Sequence, residues 1–136
     1  MLVMVIAVQV SGCSDVARWM RQYTYPQEFR YVERAEVRGP MRELSLHSRQ
    51  LNDLLLQDQA PLEHRGEMIE HLRAMEQAAE KLDHSGWSTN HPKVDTNLPT
   101  FRRDLKLARE GIEREPPNFL LAVLLRGACD NCHGSK

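Results

Sequence analysis

The last nine residues, ACDNCHGSK, set Cys129 and Cys132 with two residues between them and follow the second at once with His133. Three chemistries use a C-x-x-C pair, and each makes a further demand. A structural zinc site needs four ligands, usually from a second such pair or from two histidines separated by three to five residues. The remaining histidines, His47, His64, His71, His84 and His91, contain no pair at that spacing. A dithiol redox centre wants its first cysteine near a helix N-terminus, where the dipole lowers the thiol pKa, whereas this pair closes a helical stretch. Covalent haem attachment needs two thiols to form thioethers with the vinyl groups and an adjacent imidazole that reaches the iron. Cys129, Cys132 and His133 supply all three groups, so the expectation is one covalent haem c with His133 as the proximal ligand.

Residues 1–12, MLVMVIAVQVSG, carry no charge and are mostly Val, Leu, Met and Ile. They are too few to span a bilayer, which takes about 20 helical residues. They read as an export signal of the lipoprotein type, without the positively charged segment that normally precedes such a core. Val10-Ser11-Gly12-Cys13 resembles the bacterial lipobox, in which a cysteine after a small residue is lipidated and becomes N-terminal on cleavage. Cys13 is therefore the expected lipidation site, and this leaves no loose thiol among the three cysteines in an oxidising compartment. Export agrees with haem c, which is attached outside the bacterial cytoplasm. Residues 13–39 read as a tether and N-terminal segment. Tyr25-Pro26 interrupts any continuous helix there, and the aromatics Trp19, Tyr23, Tyr25, Phe29 and Tyr31 are expected to pack on their own domain.

The terminal motif has to be positioned by what precedes it. After Gly39, Pro40 suits the first turn of a helix, and Met41, Leu44, Leu51 and Leu55 recur at helical spacing. Ala60-Pro61 ends this helix or opens the next. Met68, Leu72, Met75, Ala79 and Leu82 form a second stripe. A loop is expected over residues 84–97, with Trp87 and His91 in it and Asn97 as the cap of a third helix. That helix carries Leu98, Phe101, Leu105, Ala108 and Ile112. Pro116-Pro117 separates it from a fourth, whose start, FLLAVLL over residues 119–125, is apolar on every side and predicts the most buried helix. Its last turns deliver Cys129, Cys132 and His133. The expected fold is all-α, a four-helix bundle over residues 40–136 that carries the C-x-x-C-H motif at its C-terminal end.

A four-helix bundle with C-x-x-C-H in the last turns of its final helix resembles the class II c-type cytochromes, namely cytochrome c prime and its low-spin relatives. The resemblance covers roughly Pro40 to His133. The chain departs from the family in two ways. Only Gly134, Ser135 and Lys136 follow the histidine, where relatives often continue to a basic residue four positions on, and a long segment precedes the first helix. The resemblance implies that the sixth iron position faces that helix. In cytochrome c prime the position is vacant and binds small gases, while in the low-spin relatives a methionine fills it, which suits electron transfer. Met41 stands where the family presents either group, as a candidate distal ligand. Met68, Met75 and His47 are the alternatives.

The leading expectation is a non-enzymatic monohaem electron carrier, lipid-anchored on the periplasmic side of a bacterial membrane and serving periplasmic or membrane redox partners. The alternatives are a five-coordinate protein that binds nitric oxide or carbon monoxide, and a haem subunit of a larger membrane redox complex. The resemblance leaves open a homodimer through the first two helices. His64 and His71 share a helix face but make an incomplete metal site. His91, Arg102 and Arg103 are candidates to meet the haem propionates. A formal charge of -1 excludes the basic excess that a nucleic-acid partner demands.

Overall fold

The structure, a computed structural model, describes residues 12–57 and 62–134. Most of the expected export signal, residues 1–11, lies outside the described residues, as do Ala60-Pro61 and the last two residues. The described chain is chiefly helical. It forms α1 (Gly12–Thr24), α2 (Arg34–Leu55), α3 (Arg65–Glu80), α4 (Pro92–Glu113) and α5 (Leu120–His133), with two short strands, β1 (Phe29–Arg30) and β2 (Ser88–Thr89).

Helix α2 packs on α3, α3 on α4 and α4 on α5, and α5 returns to touch α2. The core between them is drawn from each stripe: Leu44 and Leu51, then Met68, Leu72 and Met75, then Leu105, Ala108 and Ile112, and finally Ala122 and Leu125. Ion pairs reinforce the α3–α4 seam, where Arg109 joins Glu76 at 3.0 Å and Glu113 at 2.8 Å, and Arg73 reaches Glu113 at 3.0 Å. Arg65, at the start of α3, satisfies the carbonyls that α4 leaves open at its C-terminal end. Its guanidinium donates to Ile112 O at 2.9 Å, Glu113 O at 2.8 Å and Arg114 O at 3.0 Å, and pairs with the Glu115 carboxylate.

Three boundaries differ from the sequence reading. Helix α2 starts at Arg34, so Pro40 lies buried inside it and not in its first turn. The start is fixed by Glu36, whose carboxylate accepts the Glu33 N–H at 3.0 Å, and Val37 and Met41 extend the apolar stripe back past the proline. Helix α4 starts at Pro92, so the loop ends before Asn97, which is internal to the helix and bonds Lys93 O at 2.8 Å. Proline at the first helical position and Asp95, which accepts from both the N–H and hydroxyl of Thr89 at 2.8 Å, set that earlier start. Residues 13–39 hold a helix and a strand. Helix α1 stops at Thr24, just before Tyr25-Pro26. Strand β1 then pairs in parallel with β2 of the 81–91 loop, Asn90 exchanges hydrogen bonds with both backbone groups of Val32 at 2.8 and 3.1 Å, and Val32 is buried.

Helix α5 is not the most buried. Only Ala122 and Leu125 reach the core, whereas Leu120, Leu121, Val123 and Leu124 are exposed. An apolar helix that meets a neighbour along a single stripe buries that stripe alone, whatever the rest of its circumference is made of.

Candidate functional site

On the last turns of α5, Cys132 and His133 follow Cys129 by three and four residues, so the spacing sets the two thiols and the imidazole on one side of the helix. Gly134, at φ 79°, ends the helix directly after His133 and bonds back to Asp130 O at 2.7 Å. The Cys132 thiol sits 3.7 Å from Lys93 O and joins this end of α5 to the first turn of α4.

These three residues line a cavity of about 250 Å³. Ala128 continues their wall. Helix α2 contributes Met41, Leu44, Ser45, Ser48 and Arg49, the α3 end contributes Met75 and Leu82, and the start of α4 contributes Val94, Leu98 and Phe101. The walls are apolar, and the polar groups gather at the α2 side. There the Arg49 guanidinium donates to Ser45 Oγ at 3.2 Å, and among the described residues no carboxylate lies within ion-pair distance of it.

The donor set is informative. Both thiols are free. Cys129 is held above the ordinary thiol pKa by partial burial, with Asp130 and Cys132 adding to the effect, and Cys132 is raised by burial against an opposing pull from Lys93. An activated dithiol would be shifted the other way. Among the described residues no three His, Cys, Asp or Glu side chains converge to hold a metal ion. Two thiols and one imidazole on the rim of an apolar cavity are groups that could hold a flat, apolar macrocycle covalently.

The structure brings Met41 to the same cavity as the C-x-x-C-H residues. Of the other methionines weighed, Met75 lines the cavity from α3, while Met68 is wholly buried in the core away from it. His47 faces α3 and not the cavity: its Nδ1 lies 3.1 Å from Nδ1 of His71. His71 thus pairs across the α2–α3 seam, while His64 meets Glu67 at 3.2 Å. His91 lies against Val32 O at 3.4 Å, and Arg102 is paired with Asp83; neither borders the cavity. Arg103 is exposed beside Asp104. Arg49 was not among the arginines singled out by sequence. Its signal was present, because 41, 45, 48 and 49 fall on one helical face, but a face becomes a wall only once a neighbour is known. The backbone at Cys13 opens α1, and its side chain lies outside what is described.

No protein-family model, curated protein or solved structure matches this chain.

Proposed function

We propose that the chain is a monohaem c-type cytochrome that carries electrons. The observation behind this reading is that Met41, far from them in sequence, lines one apolar cavity with Cys129, Cys132 and His133. In this reading α2 to α5 form a four-helix bundle of the class II type, open at the end where α5 finishes. When bound, the haem supplies a one-electron Fe(III)/Fe(II) couple.

The chain's own residues do the rest. Cys129 and Cys132 would hold the group by thioethers, and His133, fixed at the helix end by Gly134, would offer its imidazole nitrogen to the iron. Leu44, Leu82, Leu98 and Phe101 exclude water from the macrocycle, which keeps the local dielectric low. Arg49, with Ser45 and Ser48, would offer the propionates a guanidinium that no described carboxylate pairs, the bidentate partner for which its planar fork is suited. Met41, on the α2 wall of the same cavity, would offer its thioether sulfur to the iron. With Met41 and His133 both holding the iron, the site would favour electron transfer over ligand capture. Residues 1–12 act as the leader and Cys13 carries the lipid, so the haem is held on the periplasmic side of a bacterial membrane near its redox partners.

Optical spectra with and without carbon monoxide test the assignment. The reduced protein should give sharp bands that carbon monoxide leaves unchanged, and Met41→Ala should give a spectrum that carbon monoxide shifts at once. Met75→Leu, on the same cavity, should behave like the parent. A reduced parent protein that binds carbon monoxide immediately would move the reading to a gas-binding protein in which Met41 only crowds the iron.

A further inference from the structure

Helix α1 carries Val16, Trp19, Met20 and Tyr23 at positions i, i+3, i+4 and i+7, which is one apolar arc of an amphipathic helix. A helix packed on its own domain buries such an arc. Here the four side chains are 57%, 60%, 54% and 74% exposed, and no other described helix or strand packs on α1. The contacts that locate α1 come from Arg21, off that arc. Its guanidinium lies 3.7 Å above the Tyr31 ring and 3.3 Å from the Glu33 carboxylate. They tie the C-terminal end of α1 to the segment that leads into α2 and leave the apolar face outward.

We propose that this face contacts the surface of a phospholipid bilayer, with α1 lying along the interface. Three observations select that occupant. Trp19 and Tyr23, whose rings stand 5.1 Å apart, are the residue types that settle at headgroup level, with an apolar body and a polar tip. Cys13, the lipid-bearing residue of the reading above, stands one turn before Val16 in the same register. No described helix is long and apolar enough to cross a membrane, so a membrane-bound α1 lies in the plane and does not span. The inference rests on the membrane-tethered part of the reading above and is independent of the haem. A lipid on Cys13 would tether the start of α1 to the membrane, and the apolar face would set how the helix lies on it.

The test uses the full haem-loaded chain with Trp87→Phe, which leaves Trp19 as its one tryptophan. The protein is bound to phosphatidylcholine vesicles that contain anionic lipid and acyl chains brominated at shallow or deep positions. Trp19 emission should shift to the blue, and shallow bromines should quench it about twofold more than deep ones. Val16→Glu with Met20→Glu should abolish both effects while the haem spectrum stays as in the parent. Three results would overturn the proposal: a vesicle-bound chain whose Trp19 emission neither moves nor quenches, a chain that stays off the vesicles, or a shift that grows with protein concentration without lipid. The last would mean that a second copy covers the face. An absent haem spectrum would remove the cytochrome reading and leave this proposal standing.

Discussion

Residue by residue, the cavity assigns different duties to groups that look alike in sequence. Of two arginine candidates for the propionates, Arg102 is already paired with Asp83 and Arg103 with Asp104, while Arg49 has a hydroxyl for its partner. Arg49→Leu should therefore lower the reduction potential of the haem-loaded protein, since a cation near the iron favours the reduced state; protein-film voltammetry reads it, and Arg103→Leu should leave the potential unchanged. The His47–His71 contact predicts a pH dependence. His71 is held below its ordinary value of 6.5, by burial first and then by His47, with Glu67 and Glu70 acting the other way. The unfolded chain thus binds the proton more readily than the folded one, so this contribution is complete above pH 6.5 and is lost as acid carries the protein toward the folded value. The urea midpoint should fall between about pH 7 and pH 5, and His71→Gln should flatten that fall. That Cys129, Cys132 and His133 share the end of one helix was legible because they follow one another within five residues of an apolar helical run. Arg49 and the histidine pair were not, because a partner on another helix has no mark in the local sequence.

Among the elements, the joints between helices carry more than the helices themselves. The chain turns from α4 to α5 where Asn118 N–H bonds to Gly111 O at 2.8 Å, and a Cβ at Gly111 would meet Asn118 O at 2.9 Å. Gly111→Ala should destabilise the fold by about 1–3 kcal/mol, measured as a shift in urea midpoint at constant slope. Arg65→Met removes the group that satisfies three carbonyls at the end of α4 and should cost about 1–3 kcal/mol in the same assay. The second and third stripes, from Met68 and from Leu98, were legible because periodicity and burial agree there. The start of α2 was not, because the preference of proline for a first turn competes with an acidic cap seven residues upstream and the cap prevails. The exposed face of α5 was illegible for a different reason: apolar composition reports what a helix can bury, and the number of its neighbours decides how much it does.

At the scale of the whole molecule, the parts fall into a helical body that encloses the cavity and an outlying α1. The β1–β2 pair and the Asn90 bonds to Val32 join them, so the N-terminal segment is anchored to the body through the 81–91 loop. Asn90→Ala should loosen that joint, raising hydrogen exchange at Val32 and its neighbours while the helices of the body keep their protection. The all-α character was legible from composition, but the standing of α1 apart from the body was not: Trp19 and Tyr23 read as packing on their own domain, and the structure leaves both exposed. The central claim is that Cys129 and Cys132 hold a haem covalently. It is tested most directly by the intact mass of the protein, purified from a bacterial host that attaches haem c and then extracted with acidified acetone. The account predicts a chain heavier by one haem, which Cys129→Ser with Cys132→Ser loses. A parent chain of apoprotein mass from that host would contradict it.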